Sequence, residues 1–230
     1  MAAERKVNWF AIWISVAVVV VLVAVAGIVW FANNQANSAG PAPSSSVVNA
    51  ETGAIAVGEG PDTVDTYVDF MCPVCNQFEQ IYGTTLQELA ADGTITLNIH
   101  PIAILDRLSQ GTDFSTRSAN AAYCVADDSP EAVLPFVQAM YENQPEENSA
   151  GLDDAAIAAI AQQAGASDAV AACISDGTYT RFVTSMTRNT PVQEGAGGIS
   201  TPTIVINGQV LSNQTDLTGD PQTDIVARLG

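Results

Sequence analysis

The stretch that decides the reading is YVDFMCPVC, residues 67–75. Tyr67, Val68 and Phe70 read as the end of a strand. Cys72 and Cys75 follow it, separated only by Pro73 and Val74. A cysteine at that point sits at the start of a helix. Unpaired backbone N–H groups and the helix dipole there favour an anion. A thiolate is such an anion, so the placement predicts a Cys72 thiol more acidic than a free one. Pro73 is tolerated in a first helical turn, where its missing N–H is not needed. Cys75 lies within reach of Cys72, able to close a disulfide and to resolve a mixed one. A zinc site needs about four ligands, and the chain has one CxxC and a single histidine, His100. A purely structural disulfide across so short a loop would stabilise little.

Working outward, Val64–Phe70 reads as a strand, and Gly53–Gly58 as a short strand before it. Asn76–Asp92 carries apolar residues at 78, 81, 82, 86, 89 and 90, the spacing of an amphipathic helix. Asp92-Gly93 closes it, and Thr94–Ile99 reads as a buried strand. Strand, helix and strand in that order predict a parallel unit. Residues 115–175 are rich in alanine at helical spacing. Asp153 and Asp154 fall in a first turn, where negative charge suits the dipole, and Gly165 is a helix stop. Thr178–Asn189 reads as one more helix. Thr203–Ile206 and Gln209–Leu211 flank Asn207-Gly208, a strong hairpin signal. Asp220–Leu229 reads as a terminal helix with Pro221 at its start. Pro202, directly before a hairpin strand, is a candidate cis peptide.

The chain has 230 residues, 25 of them acidic against 7 basic, a formal net charge of −18. Lys6 is the only lysine, and beyond residue 50 the positive side chains are five arginines. Such a surface repels phosphate backbones, which argues against a nucleic-acid partner; its plain role is solubility. Four cysteines allow two disulfides in an oxidising compartment.

From Trp9 to Ala32 the chain is apolar apart from Ser15, and no charge occurs between Lys6 and Glu51. At about 1.5 Å per residue this run matches the ~30 Å hydrocarbon core of a bilayer. Trp9, Trp13, Trp30 and Phe31 mark its two ends, where aromatic rings favour the interface. A cleaved signal peptide usually has a shorter apolar region of about 7–15 residues. The expected organisation is a cytoplasmic N-terminus over 1–8, an anchor over 9–32, a flexible tether over 33–50 and a domain over 51–230. Arg5 and Lys6 before the span place that domain outside the cytoplasm by the positive-inside rule.

Three stretches carry a family resemblance: YVDFMCPVC, HPIAILDRLSQGTDFSTRSANAAYC and GISTPTIVING. With them, residues 50–230 resemble the DsbA family of thioredoxin-fold thiol–disulfide oxidoreductases, in its membrane-anchored actinobacterial form. The resemblance implies an α/β thioredoxin-like fold with a helical insertion at about 106–177. It implies that Cys72 is the attacking or attacked cysteine and Cys75 its partner. Pro202 would be a cis-proline facing them, with Thr201 before it, and Pro73 and Val74 would join these two in meeting substrate. It further implies a structural disulfide between Cys124 and Cys173. No cofactor is required. The partners implied are exported proteins with cysteines or disulfides, and a membrane redox partner such as a quinone-linked oxidase. One departure matters. Strongly oxidising members carry Pro-His between the cysteines, and Val74 offers neither a hydrogen bond nor positive charge to a thiolate. The pair is therefore expected to be less oxidising than that extreme, about −120 mV against about −270 mV for thioredoxin. A reductase or isomerase, or a peptide-binding adaptor without turnover, are the alternatives.

Other residues carry smaller expectations. His100 reads as a positioning residue rather than a base. Asp69 is either a buried carboxylate tuning proton transfer or a strand residue facing solvent. Phe70 and Met71 are expected to pack, and Met140 and Tyr141 to lie in the core or on a surface helix.

Overall fold

The computed structural model describes residues 9–36 and 39–230; the expected cytoplasmic segment over 1–8 lies outside the described residues. Trp9–Ala36 forms helix α1. Within it, Ile12–Phe31 has a mean hydropathy of 3.0 and none of its surface is buried in the protein, so by length and composition it can cross a membrane. The helix continues to Ala36, four residues past the expected end of the anchor at Ala32.

Residues 39–230 form a separate compact unit. Its sheet has five strands: β1 (Ile55–Val57), β2 (Asp62–Val68), β3 (Ile95–Pro101), β4 (Thr203–Ile206) and β5 (Gln209–Val210). Their order is β1-β3-β2-β4-β5. β2 and β3 run parallel, with Val64 opposite Leu97 and Thr66 opposite Ile99. The other pairs are antiparallel. The parallel pair is joined by helix α2 (Pro73–Ala91), as the strand–helix–strand pattern predicts. Phe78, Tyr82 and Leu86 of α2 are buried with Val64, Val68, Leu97 and Ile99 of the sheet. Burying each such side chain is worth about 1.5–3 kcal/mol. Ile81, expected on the same buried face, is instead 45 % exposed.

A helical insertion follows β3: α3 (Phe114–Asp128), α4 (Val133–Glu142), α5 (Asp154–Gln163) and α6 (Val170–Ser175). Helix α3 is its centre. Ala119, Ala121, Ala122 and Ala126 are buried along it, and small residues let neighbouring helices approach closely. Helix α7 (Thr180–Thr187) leads back to the sheet. Met140 and Tyr141 belong to the core. Cys124 of α3 and Cys173 of α6 are joined by a disulfide, with Cα atoms 5.9 Å apart.

Two boundaries differ from the sequence reading. The tether does not run to residue 50. Asp127 Oδ1 accepts hydrogen bonds from the Ser44 and Ser45 amides at 2.8 and 2.9 Å, so the chain is bound to the domain from about Ser44. The expected terminal helix over 220–229 is broken. α8 covers only Pro221–Asp224, because the buried Asp224 carboxylate accepts from Tyr82 Oη at 2.6 Å and from the Thr218 and Gly219 amides.

Candidate active site

Strand β2 stops two residues short of Phe70, and Asp69 is the reason. Its side chain is fully buried. Oδ1 accepts from the Met71 amide at 2.9 Å, and Oδ2 from the Ile104 and Leu105 amides at 2.9 and 3.1 Å. The Asp69 carbonyl accepts from the Cys72 amide at 3.0 Å. The chain thus turns sharply and enters α2 with Cys72 as its N-cap and Pro73 as its first residue, as the placement of the pair predicts. Burial raises the Asp69 carboxyl above its ordinary range. Of its two expected readings, the solvent-facing one is corrected: the three amides need a buried acceptor.

Both thiols of the pair are free and buried. Their acidities are driven apart. The Cys72 thiol is lowered from its ordinary value, first by the hydrogen bond it receives from Cys75, then by the Cys75 and Val74 amides at the helix tip; burial and Asp69 oppose this. The Cys75 thiol is pushed well above its ordinary value, first by burial and then by Cys72. One sulfur is therefore prepared to be a thiolate at the helix tip, and the other to hold its proton deeper inside.

Opposite the pair, the Thr201–Pro202 peptide bond is cis. Cys72 Sγ donates to the Thr201 carbonyl at 3.5 Å, and Cys75 Sγ lies 3.0 Å from Thr201 Oγ1. Thr201 Oγ1 in turn donates to the Tyr67 carbonyl at 3.2 Å. The structure thus brings Cys72, Cys75, Thr201 and Pro202 together from opposite ends of the domain. The Pro202 carbonyl is held by Asn213 Nδ2 at 2.7 Å and Gln193 Nε2 at 3.2 Å. Val74 is 51 % exposed. With Ile81, Tyr82, Pro202, Asn213 and Leu217 it lines a groove of about 240 Å³. Pro73 is exposed beside the pair.

His100 lies on β3, away from the thiols. Its ring stacks on Tyr67 with centroids 4.0 Å apart, and Nε2 meets Asp65 Oδ1 at 2.9 Å. It stiffens the strand whose carbonyl receives Thr201. Sequence reasoning missed Gln144, whose Nε2 donates to the Phe70 and Cys72 carbonyls at 3.0 and 2.9 Å. It also missed Asn213 and Gln193. Nothing in the local pattern marks these loop residues; only the fold carries them to the site. Among the described residues no cluster of His, Cys, Asp or Glu is arranged to hold a metal.

A dithiol with split acidities at a helix tip, facing a cis-proline on a mixed sheet, defines a thioredoxin-fold dithiol protein. Residues 51–219 match the family described as Thioredoxin. The solved DsbA of Mycobacterium tuberculosis in its reduced form is 32 % identical, with a TM-score of 0.61, covering 69 % of this chain and 84 % of that one. The reduced disulfide bond oxidoreductase DsbG of the same organism is 30 % identical, with a TM-score of 0.63, covering 77 % and 89 %. Among curated proteins, the serine/threonine-protein kinase PknE of M. tuberculosis is 31 % identical over 163 residues, 68 % of this chain. The matched region is only 28 % of that kinase's length. The chain belongs to the thioredoxin family and, within it, to the DsbA-like proteins.

Proposed function

We propose that this protein is a thiol–disulfide oxidoreductase, anchored by α1 and working outside the cytoplasmic membrane on exported proteins. In its oxidised form a Cys72–Cys75 disulfide accepts two electrons from a substrate dithiol. A substrate thiolate attacks Cys72 Sγ, and Cys75 leaves. The substrate's second thiolate then displaces Cys72, and the substrate departs with a new disulfide. The observation that carries this reading is geometric: Cys72 caps α2 and faces the cis Thr201–Pro202 peptide, with Cys75 buried one turn on. The hydrogen bond from Cys75 and the amides at the helix tip lower the Cys72 thiol, so it leaves readily, which favours oxidation of substrate. The groove of Val74, Ile81, Pro202 and Leu217 offers an apolar seat for an extended peptide beside the sulfurs. Pro73 and Thr201 border the same opening. No cofactor takes part. Return to the oxidised form requires an acceptor; by analogy with the family this is an integral-membrane, quinone-linked oxidase, which the anchor would keep near.

Val74 favours the second reading, a reductase or isomerase, because it adds no positive charge to hold the Cys72 thiolate. Insulin reduction measured beside refolding of reduced ribonuclease separates the two. An oxidase restores ribonuclease activity and reduces insulin poorly; a reductase does the reverse, and a binding adaptor does neither. The Cys72→Ser variant is expected to lose all exchange while keeping its circular dichroism spectrum. Exchange persisting in that variant would remove the assignment.

A further inference from the structure

The Pro202 carbonyl draws side chains from two separate loops, and neither loop carries a thiol. Asn213 Nδ2 donates to it at 2.7 Å from the loop after β5, and Gln193 Nε2 at 3.2 Å from the stretch between α7 and β4. Gln193 Nε2 also lies 3.1 Å from Ser200 Oγ and 3.2 Å from Thr203 Oγ1. Its N–H groups are thus shared among oxygens of three residues in one turn. Gln193 Oε1 in turn accepts from the Asn213 amide at 3.2 Å. That bond fixes which end of the Gln193 side chain is oxygen, and it ties the two loops to each other. The Thr203 hydroxyl closes the turn by donating to the Ser200 carbonyl at 2.9 Å. One glutamine side chain therefore holds Ser200, Pro202 and Thr203 at once.

Two features set this cluster apart from ordinary loop packing. The first is the setting of Gln193. Val192 before it is 50 % exposed, and every residue from Glu194 to Ile199 after it is exposed. Gln193 is itself half-buried and reaches back to the proline. The second is Asn213 Oδ1, which is buried without a hydrogen-bond partner among the described residues. A buried acceptor left unpaired is destabilising. Turning the Asn213 side chain outward would hydrate that oxygen, but it would break the 2.7 Å bond to Pro202. The bond is kept together with the unpaired oxygen, so it serves the position of Pro202 rather than the stability of the fold.

That position matters because Pro202 and Asn213 line the groove beside the sulfurs with Val74, Ile81 and Leu217. Thr201, the residue before the proline, touches both sulfurs and has a hold of its own, through its hydroxyl to the Tyr67 carbonyl. The Thr201 side of the turn is thus anchored to β2, and the Pro202 side to Gln193 and Asn213.

We infer that Gln193 and Asn213 are positioning residues for the substrate peptide. Together they fix the Pro202 carbonyl, and with it the groove wall against which an extended peptide lies while its cysteine meets Cys72. The inference rests on the exchange reaction and the peptide seat proposed above. The two residues act on docking, through Pro202, and matter less to a small dithiol that needs no groove.

The test uses the full oxidised chain in detergent and compares two reductants, a short fluorescent peptide carrying two cysteines and dithiothreitol. Both rates are measured for the parent, Asn213→Leu, Gln193→Leu and the double variant. The ratio of the peptide rate to the dithiothreitol rate is expected to fall about tenfold in each single variant, the low side of what a misplaced binding group costs. In a peptide titration the loss should lie in KM rather than in kcat. The double variant should fall no further than the lower single one, since both residues hold one carbonyl. Asn213→Leu should keep or raise the urea midpoint, because it removes the unpaired oxygen; a residue that merely supported the fold would lower it. A ratio equal to the parent's in both single variants, whether the two rates hold or fall together, would overturn the inference. A parent that dithiothreitol reduces but that never oxidises the peptide would instead overturn the reaction on which it rests.

Discussion

Cys72 and Cys75 carry the same group three positions apart, yet one is at the opening of the site and the other beneath it. Their difference comes from neighbours, not from the residue type. Cys72 meets amides at a helix tip, and Cys75 meets apolar side chains and its partner's sulfur. Asp69 fixes the turn that makes this possible. It satisfies three amides in the interior, and a buried amide left without a partner costs about 1–3 kcal/mol. Asp69→Ala is therefore expected to lower stability by about 2–4 kcal/mol, read from the urea midpoint. An unchanged midpoint would mean that water replaces the carboxylate without loss. Gln144 binds the same turn from the far side through the Phe70 and Cys72 carbonyls. Gln144→Ala should leave the fold intact and speed alkylation of Cys75 relative to the parent, as the loop loosens.

The elements show how far local pattern reaches. Strands β2 and β3, helix α2 and the β4–β5 hairpin were legible because each follows from period or turn chemistry. Asn207 and Gly208 adopt φ of 50° and 82°, the left-handed pair that a two-residue hairpin requires. Gly208→Val should cost about 1–2 kcal/mol through that backbone, with the Cys72 titration unmoved. The terminal helix was over-read for a tertiary reason. Asp224 turns its carboxyl inward to Tyr82 and Thr218, and the helix stops there. The start of α2 was legible from Cys72 and Pro73 rather than from the apolar spacing, which begins only further along the helix. Gln144 and Asn213 were not legible as site residues at all. Gln144 reaches the Cys72 carbonyl only after the insertion folds back, and Asn213 reaches the Pro202 carbonyl from the loop after β5. The disulfide from Cys124 to Cys173 closes a separation of 49 residues within that insertion. By the chain-entropy argument its loss costs about 4 kcal/mol. The Cys124→Ser/Cys173→Ser variant should melt at a markedly lower temperature, yet regain full exchange activity below its transition.

At the scale of the whole chain, an apolar helix and an acidic domain have different solvents. α1 exposes Trp9, Trp13, Leu22 and Trp30 along its length, while the full chain carries −18 with a sequence pI of about 4.1. A chain beginning at residue 39 is expected to enter the aqueous phase on detergent phase separation, and the full chain the detergent phase. Equal partitioning would refute the anchor. The helix tip, not the acidic surface, sets the working range of the chemistry. Cys72 has a depressed pKa, so its thiolate, and any exchange that uses it as nucleophile, persists as pH falls below the ordinary thiol value. It is lost only when pH drops through the lowered pKa. The measurement that bears most directly on the account is a titration of the reduced chain by thiolate absorbance near roughly 240 nm, with Cys72→Ser alongside. The account predicts a first transition clearly below the ordinary thiol value of about 8.5, absent from the variant, with Cys75 titrating only in strong alkali. A first transition at or above that ordinary value, or one that survives in Cys72→Ser, would contradict it.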